Sequence, residues 1–284
     1  MKPTSIITFI GPGVMAEAMF SGLIRKNVAT SSQIVISGPE VDRSEELIAR
    51  YGVTSFTDNR AAVQGAEIVV LSVKPQRLAH VMKGLKGSIP PQALVLSIVA
   101  GASIQNIQNG LAHPNVVRSM PNTPAQIGAG ITVWTCSSTV TPEQSELARQ
   151  ILAALGEEIL VEEETYLDMA TAVSGTGPAY VFLFLEAMID SAVHLGLPRR
   201  TAEEMVVETF AGSVEFYKKN KLHPAALRNQ VTSPGGTSAA ALYYLEKAGF
   251  RTAISRAIWA AYERSVELGK GNNPTHLDRS ESND

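Results

Sequence analysis

Through its first half the chain repeats one pattern. A short run of aliphatic, largely β-branched residues is followed by a segment whose apolar positions fall three and four apart. The runs at 5–10, 33–36, 67–71, 93–97 and 115–118 read as strands. Each is nearly continuous in apolar character, as suits strands covered on both faces. The segments at 14–26, 42–51 and 75–85 read as helices. Such alternation predicts a parallel, doubly wound α/β sheet. The pattern changes near 162–164, beyond which helices are expected at 180–195, 200–219, 237–247 and 250–268. The first of these is apolar nearly all round, so it must be buried on most sides. A subunit interface is the expected cover, and burial inside its own domain the alternative. The expected domains are 1–163 and 164–270, with a polar, disordered tail at 271–284.

Composition narrows the function. Of 284 residues, 45% are hydrophobic and 18% charged, ample for a core and unlike a disordered chain. Lys and Arg number 24 against 27 Asp and Glu, a net charge of −3. Neither nucleic acid nor an anionic membrane is therefore an expected partner. One cysteine, Cys136, rules out an internal disulfide and a cysteine-built zinc site, and no metal is expected. No run reads as a membrane span or signal peptide, so the expected location is cytoplasmic.

The candidate chemistry lies where the pattern turns from strand to helix. Gly11-Pro-Gly13-Val14-Met15-Ala16 follows the first strand and opens the first helix, matching G-x-G-x-x-G/A. The first glycine permits the tight turn, the second lets backbone approach a pyrophosphate, and Ala16 permits close packing on the strand. The helix start then presents free N–H groups to the phosphates. This motif points to a Rossmann-like dinucleotide domain; the alternative is a plain strand–helix turn. The second strand ends in Ser37-Gly38-Pro39, without the acidic residue that meets an unmodified ribose. Arg43 can attract a 2′-phosphate, so NADPH is favoured over NADH, although Glu40 and Asp42 are close in sequence. Lys74, before Pro75 at the end of another strand, can reach a ribose or phosphate. Asn122, in Met120-Pro-Asn-Thr-Pro124, is suited to a nicotinamide carboxamide. Ser233-Pro-Gly235-Gly236-Thr237-Ser238 precedes a helix and offers a backbone cradle for phosphate or carboxylate. An ordinary capped helix start is the alternative there, and equally at Ser174-Gly-Thr-Gly177-Pro178. His223, before Pro224, reads as a cap residue rather than a base.

Together these segments resemble the pyrroline-5-carboxylate reductases. The resemblance rests on Phe9-Ile-Gly11-Pro-Gly13, Val73-Lys-Pro75, Ala100-Gly101, Met120-Pro-Asn-Thr-Pro124, Ser174-Gly-Thr-Gly-Pro-Ala-Tyr180, Gly196-Leu-Pro198 and Thr232-Ser-Pro-Gly-Gly236. It spans essentially the whole chain. It implies an N-terminal dinucleotide domain and an all-α C-terminal dimerisation domain. It implies a homodimer with interleaved helical domains, paired subunits building each substrate site, and assembly to a decamer. It implies cofactor contacts from Asn59, Lys74, Pro75 and Asn122, and it draws Val73, Ala100 and Gly101 into the same set. Asn59 by itself reads as an ordinary turn residue. The family usually carries Thr where this chain has Ser238, and Ser where it has Thr176; both hydroxyls are kept.

The expected reaction is hydride transfer from reduced nicotinamide to the C=N carbon of a cyclic imine bearing a carboxylate. Backbone N–H groups of Gly236, Thr237 and Ser238, beside Gly235, would hold the carboxylate. The Ser238 hydroxyl would act at the imine nitrogen. A reductase of a related cyclic imine and a non-catalytic NADP-binding regulator are the alternatives. A 3-hydroxyacid dehydrogenase would want a lysine in the first long helix of the second domain, and 181–195 has none.

Overall fold

The structure, a computed structural model, describes residues 5–270. The expectation for 271–284 lies outside them. Eight strands form one sheet in the order β3-β2-β1-β4-β5-β6-β7-β8. They are β1 (Ile7–Ile10), β2 (Ile34–Ser37), β3 (Thr54–Phe56), β4 (Ile68–Leu71), β5 (Leu94–Ser97), β6 (Val116–Met120), β7 (Gly130–Cys136) and β8 (Gly156–Leu160). The intervening helices are α1 (Val14–Arg25), α2 (Val41–Tyr51), α3 (Asn59–Ala62), α4 (Pro75–Leu85), α5 (Ile104–Leu111) and α6 (Pro142–Ala153).

β1 to β6 run parallel. β7 pairs antiparallel with β6, and β8 parallel with β7. The expected all-parallel sheet is thus corrected at one edge. The link between β6 and β7 holds only a single 3₁₀ turn at Thr123–Ile127. A parallel return needs a longer crossover.

The continuous apolar runs are explained by their two faces. Ile7, Phe9, Ile68, Val70, Leu94 and Leu96 join Met19, Phe20 and Leu23 of α1, Leu47 of α2 and Ile151 of α6 in one core. Ile10, Val69, Leu71 and Val95 join Leu78 and Met82 of α4 and Ile107 of α5 in the other. Successive strand residues point to opposite faces, so both must be apolar.

The sheet, with residues 5–176 and residues 261–270, makes one compact unit. Here α7 (Tyr166–Ala170) is followed by a single π-helical turn at Thr171–Gly175. Residues 164–176 pack on the sheet unit through buried Leu167 and two ion pairs. Arg118 donates from Nη1 to Glu164 and from Nη2 to Asp168, each at 2.9 Å.

The second unit is Gly177–Ala260. It holds α8 (Gly177–His194), α9 (Arg199–Asn220), α10 (Pro224–Gln230), α11 (Thr237–Lys247) and the greater part of α12 (Phe250–Gly269). Phe184 meets Phe210 edge-on at 5.5 Å and Phe250 at 5.6 Å. Among its described residues only Ala202 and Val206 are fully buried. The alternative that α8 is buried within its own domain is therefore excluded: Phe182 is 61% and Leu183 66% exposed in the single chain. The helical segment Tyr166–His194 is also long and apolar enough, by length and composition, to cross a membrane. This corrects the expectation that no run reaches that length. Interspersed Ala, Gly, Ser and Thr break the strictly apolar runs while leaving the mean hydropathy at 1.4.

Candidate functional site

Strand order reverses between β1 and β4, and ligands of such sheets bind outside the strands' carboxyl ends at that point. Gly11 leaves β1 with φ +93°, a conformation L side chains rarely adopt. A Cβ there would lie 2.7 Å from Val73 Cγ1. Its N–H donates to the Ser37 carbonyl at 2.8 Å, tying the turn to the end of β2. Gly13 is the N-cap of α1 and brings no side-chain cap. A Cβ on Gly13 would meet nothing within 4 Å. The α1 start at Val14 and Met15 thus leaves its first backbone donors uncapped beside open space, which fits a pyrophosphate.

Around this turn the structure brings together most of the predicted set. The buried Ser37 hydroxyl donates to Asn59 Oδ1 at 2.7 Å. Asn59 opens α3 and is placed by Asp58, whose carboxylate accepts the Arg60 N–H at 3.0 Å. Ser72, which the sequence reading passed over, donates its hydroxyl to the Ile10 and Gly11 carbonyls at 3.0 and 2.9 Å. Val73 lies against Gly11; Lys74 is the exposed N-cap of α4, and Pro75 is its first residue. Lys74 forms no ion pair among the described residues. Ala100 and Gly101 follow β5, and Gly101 is buried against the end of α12: a Cβ there would lie 2.7 Å from Gly269 N.

Two predicted cofactor residues are engaged within the protein. Arg43 is not free: its guanidinium pairs with Glu17 and with Glu46, the latter at 2.6 Å. The Glu46 hydrogen bond leads the effects that raise its pKa. Asn122 uses both halves of its carboxamide within the protein. Oδ1 accepts from Ile131 N at 3.0 Å, and Nδ2 donates to the Ser174 carbonyl at 3.2 Å. It braces the β6–β7 link against the π-turn. Glu17 had no signal in the sequence beyond lying on the first helix.

The second candidate lies in the helical unit. Gly235 has φ +71° and turns the chain into Gly236, the N-cap of α11, again without a side-chain cap. The Gly236 N–H is already given to the Ser233 carbonyl at 3.1 Å, so it is not the carboxylate donor expected. The first turn of α11 begins with Thr237 and Ser238, whose hydroxyls make no hydrogen bond among the described residues. At the other cradle the hydroxyls of Ser174 and Thr176 turn inward, donating to the Ala170 and Thr171 carbonyls at 2.9 and 2.8 Å. His223 is a cap, its Nδ1 accepting from Ala225 N at 3.2 Å. Cys136 is partly buried, which raises its thiol pKa.

The two halves match known families separately. Residues 164–268 match the model described as pyrroline-5-carboxylate reductase dimerisation. Residues 6–101 match the one described as NADP oxidoreductase, coenzyme F420-dependent. The pyrroline-5-carboxylate reductase of Synechocystis is 43% identical over 92% of this chain and 97% of its own length. The chain belongs to the pyrroline-5-carboxylate reductase family. The reductase of Escherichia coli is 36% identical over 93% of this chain and 98% of its own. Among solved structures, the Plasmodium falciparum pyrroline carboxylate reductase with NADP bound superposes with TM-score 0.87. It is 30% identical and covers 94% of this chain and 99% of its own. A reductive aminase from Aspergillus terreus, 14% identical with TM-score 0.59, shares the fold alone.

The fold class is therefore an NADP-binding α/β domain followed by a helical dimerisation domain, and the chain forms homodimers.

Proposed function

We propose that this chain reduces 1-pyrroline-5-carboxylate to L-proline, with NADPH bound at the β1–α1 turn. The observation that carries the reading is 43% identity to a pyrroline-5-carboxylate reductase over 92% of the chain. The uncapped α1 start and the space above Gly13 fit the cofactor's pyrophosphate. Asn59, oriented by Ser37, would meet the ribose, Lys74 the phosphates, and Arg43 the 2′-phosphate. Val73, Pro75, Ala100 and Gly101 shape the wall, and Asn122 holds it in place. When bound, the reduced nicotinamide supplies the hydride that adds to the C=N carbon. The protein's part is orientation and charge.

Gly235 and Gly236 expose the first turn of α11, where the Thr237 and Ser238 N–H groups hold the substrate carboxylate. The substrate enters as the protonated iminium ion, its nitrogen oriented by the Ser238 hydroxyl, and hydride addition to its carbon gives the neutral amine with no proton transfer in that step. No strong side-chain acid is therefore needed. Paired subunits complete each substrate site, dimers assemble to a decamer, and the location is cytoplasmic. The exposed apolar face of α8 supports an interface between subunits.

The test follows NADPH consumption and proline formation with pyrroline-5-carboxylate, then with a ring lacking the carboxylate. Ser238→Ala is expected to lower kcat by roughly a hundredfold, the order lost when a reacting group is misplaced by about 1 Å, and to leave NADPH affinity unchanged. An unchanged kcat removes Ser238 from the mechanism. Absence of turnover in protein that binds NADPH overturns the substrate.

A further inference from the structure

Arg43 stands where the ribose end of a dinucleotide meets this fold. It lies in the first turn of α2, just after the strand whose carboxyl end faces the ribose. Its Nε donates to the Pro12 carbonyl inside the glycine turn, at 3.4 Å. Both remaining arms are taken: Nη2 by Glu17 of α1 and Nη1 by Glu46 of α2. Glu17 is the more firmly held acid. Its carboxylate also accepts from Tyr51 Oη at 2.7 Å and pairs with Arg50 Nη1 at 2.7 Å. Arg50 reaches Glu46 as well, at 3.2 Å.

Burial alone would raise the Glu17 carboxyl. The hydrogen bonds from Tyr51 and Arg43 and the charges of Arg43 and Arg50 outweigh it and hold it below its ordinary value of 4.5. Glu17 is thus ionised at neutral pH. Two guanidiniums face two carboxylates here, so the cluster carries no surplus positive charge. A 2′-phosphate needs such a surplus; a 2′-hydroxyl does not.

We propose that Glu17 is a specificity-determining residue: its carboxylate competes with the cofactor's 2′-phosphate for Arg43 and so limits the preference for NADPH over NADH. The inference rests on the reading of Arg43 given above. Glu46 is about half exposed and its pairs are screened by water, so it competes less.

The experiment measures dissociation constants of NADPH and NADH by cofactor fluorescence, which needs no turnover, in wild type, Glu17→Gln and Arg43→Gln. Glu17→Gln is expected to raise the NADPH:NADH affinity ratio roughly tenfold, the order of one charge–charge term at a partly screened site, with NADH affinity changing less than about twofold. Arg43→Gln is expected to lower the same ratio. If Arg43→Gln lowers it and Glu17→Gln leaves it unchanged or lowers it, the role of Glu17 is overturned while that of Arg43 stands. If Arg43→Gln leaves it unchanged, Arg43 does not face the phosphate and both fall. Thermal melting reports folding. Should Glu17→Gln not fold, Glu17→Asp, whose shorter side chain draws the carboxylate back from Arg43, is expected to raise the ratio by a smaller factor; an unchanged or lowered ratio there overturns the inference.

Discussion

Gly11 shows how little freedom single positions have at the dinucleotide turn. Its φ of +93° and the 2.7 Å approach of Val73 Cγ1 to a notional Cβ both exclude a side chain. Gly13, two residues on, meets no such obstacle from the protein. Gly11→Ala is expected to cost about 2 kcal/mol in stability, from backbone strain plus overpacking, and to weaken NADPH binding by displacing the α1 start. Gly13→Ala is expected to leave thermal stability nearly unchanged and still weaken NADPH, because its Cβ would fill cofactor space. Melting curves paired with NADPH titrations separate the two. A Gly13→Ala protein that binds NADPH normally would place the pyrophosphate elsewhere.

Among the elements, β6 carries an unusual burden. Its Arg118 is almost wholly buried, and both its carboxylate partners come from the segment that opens the helical region. Asp168 also accepts from the Ser265 hydroxyl of α12 at 2.8 Å, and Glu164 from Ile104 N at the start of α5 at 2.8 Å. One guanidinium thus ties a strand to three helices. Arg118→Leu would strand two half-buried carboxylates, and is expected to cost about 3 kcal/mol. Arg149→Ala, which breaks an exposed, water-screened pair with Glu146, is expected to leave stability close to that of the wild type. Chemical denaturation of both variants checks the contrast. The same segment explains the π-turn at Thr171–Gly175. Thr176 N donates to the Thr171 carbonyl at 2.8 Å, and the Ser174 carbonyl is left to accept from Asn122.

For the whole chain, the deciding fact is that the helical unit has almost no core of its own. Apolar residues such as Phe182, Leu183, Met205, Tyr244 and Trp259 remain exposed in one chain. Burying surface of that kind is worth roughly 25 cal/mol per Å², which a second subunit can supply and water cannot. Leu183→Glu is expected to shift the protein to monomer in sedimentation velocity and to abolish proline formation, leaving NADPH bound by the sheet unit. A dimeric Leu183→Glu protein with full activity would place the interface on another face. A decamer in the wild-type sedimentation profile would support the larger assembly.

Elements long enough to show a period were readable in the sequence. The five apolar strands, α1, α2, α4 and the long helices after residue 177 all lie within a few residues of expectation. Their signals are local: apolar spacing, a proline at the first turn of α4, glycines at the turns. β3, β7 and β8 were not readable as strands. β3 is a three-residue edge with two exposed positions, and β8 carries Glu157 and Glu158, so neither has a strand's apolar signature. The direction of β7 depends on which neighbour it pairs with. The glycine turn was likewise legible, because Gly11 answers to its own φ. The occupancy of Arg43 by Glu17, of Asn122 by Ile131 and Ser174, and of the Gly236 N–H by Ser233 was not. Except for the last, these partners lie 9 to 52 positions apart in the chain. Sequence patterns report what a residue can do locally; folding decides which distant groups reach it first.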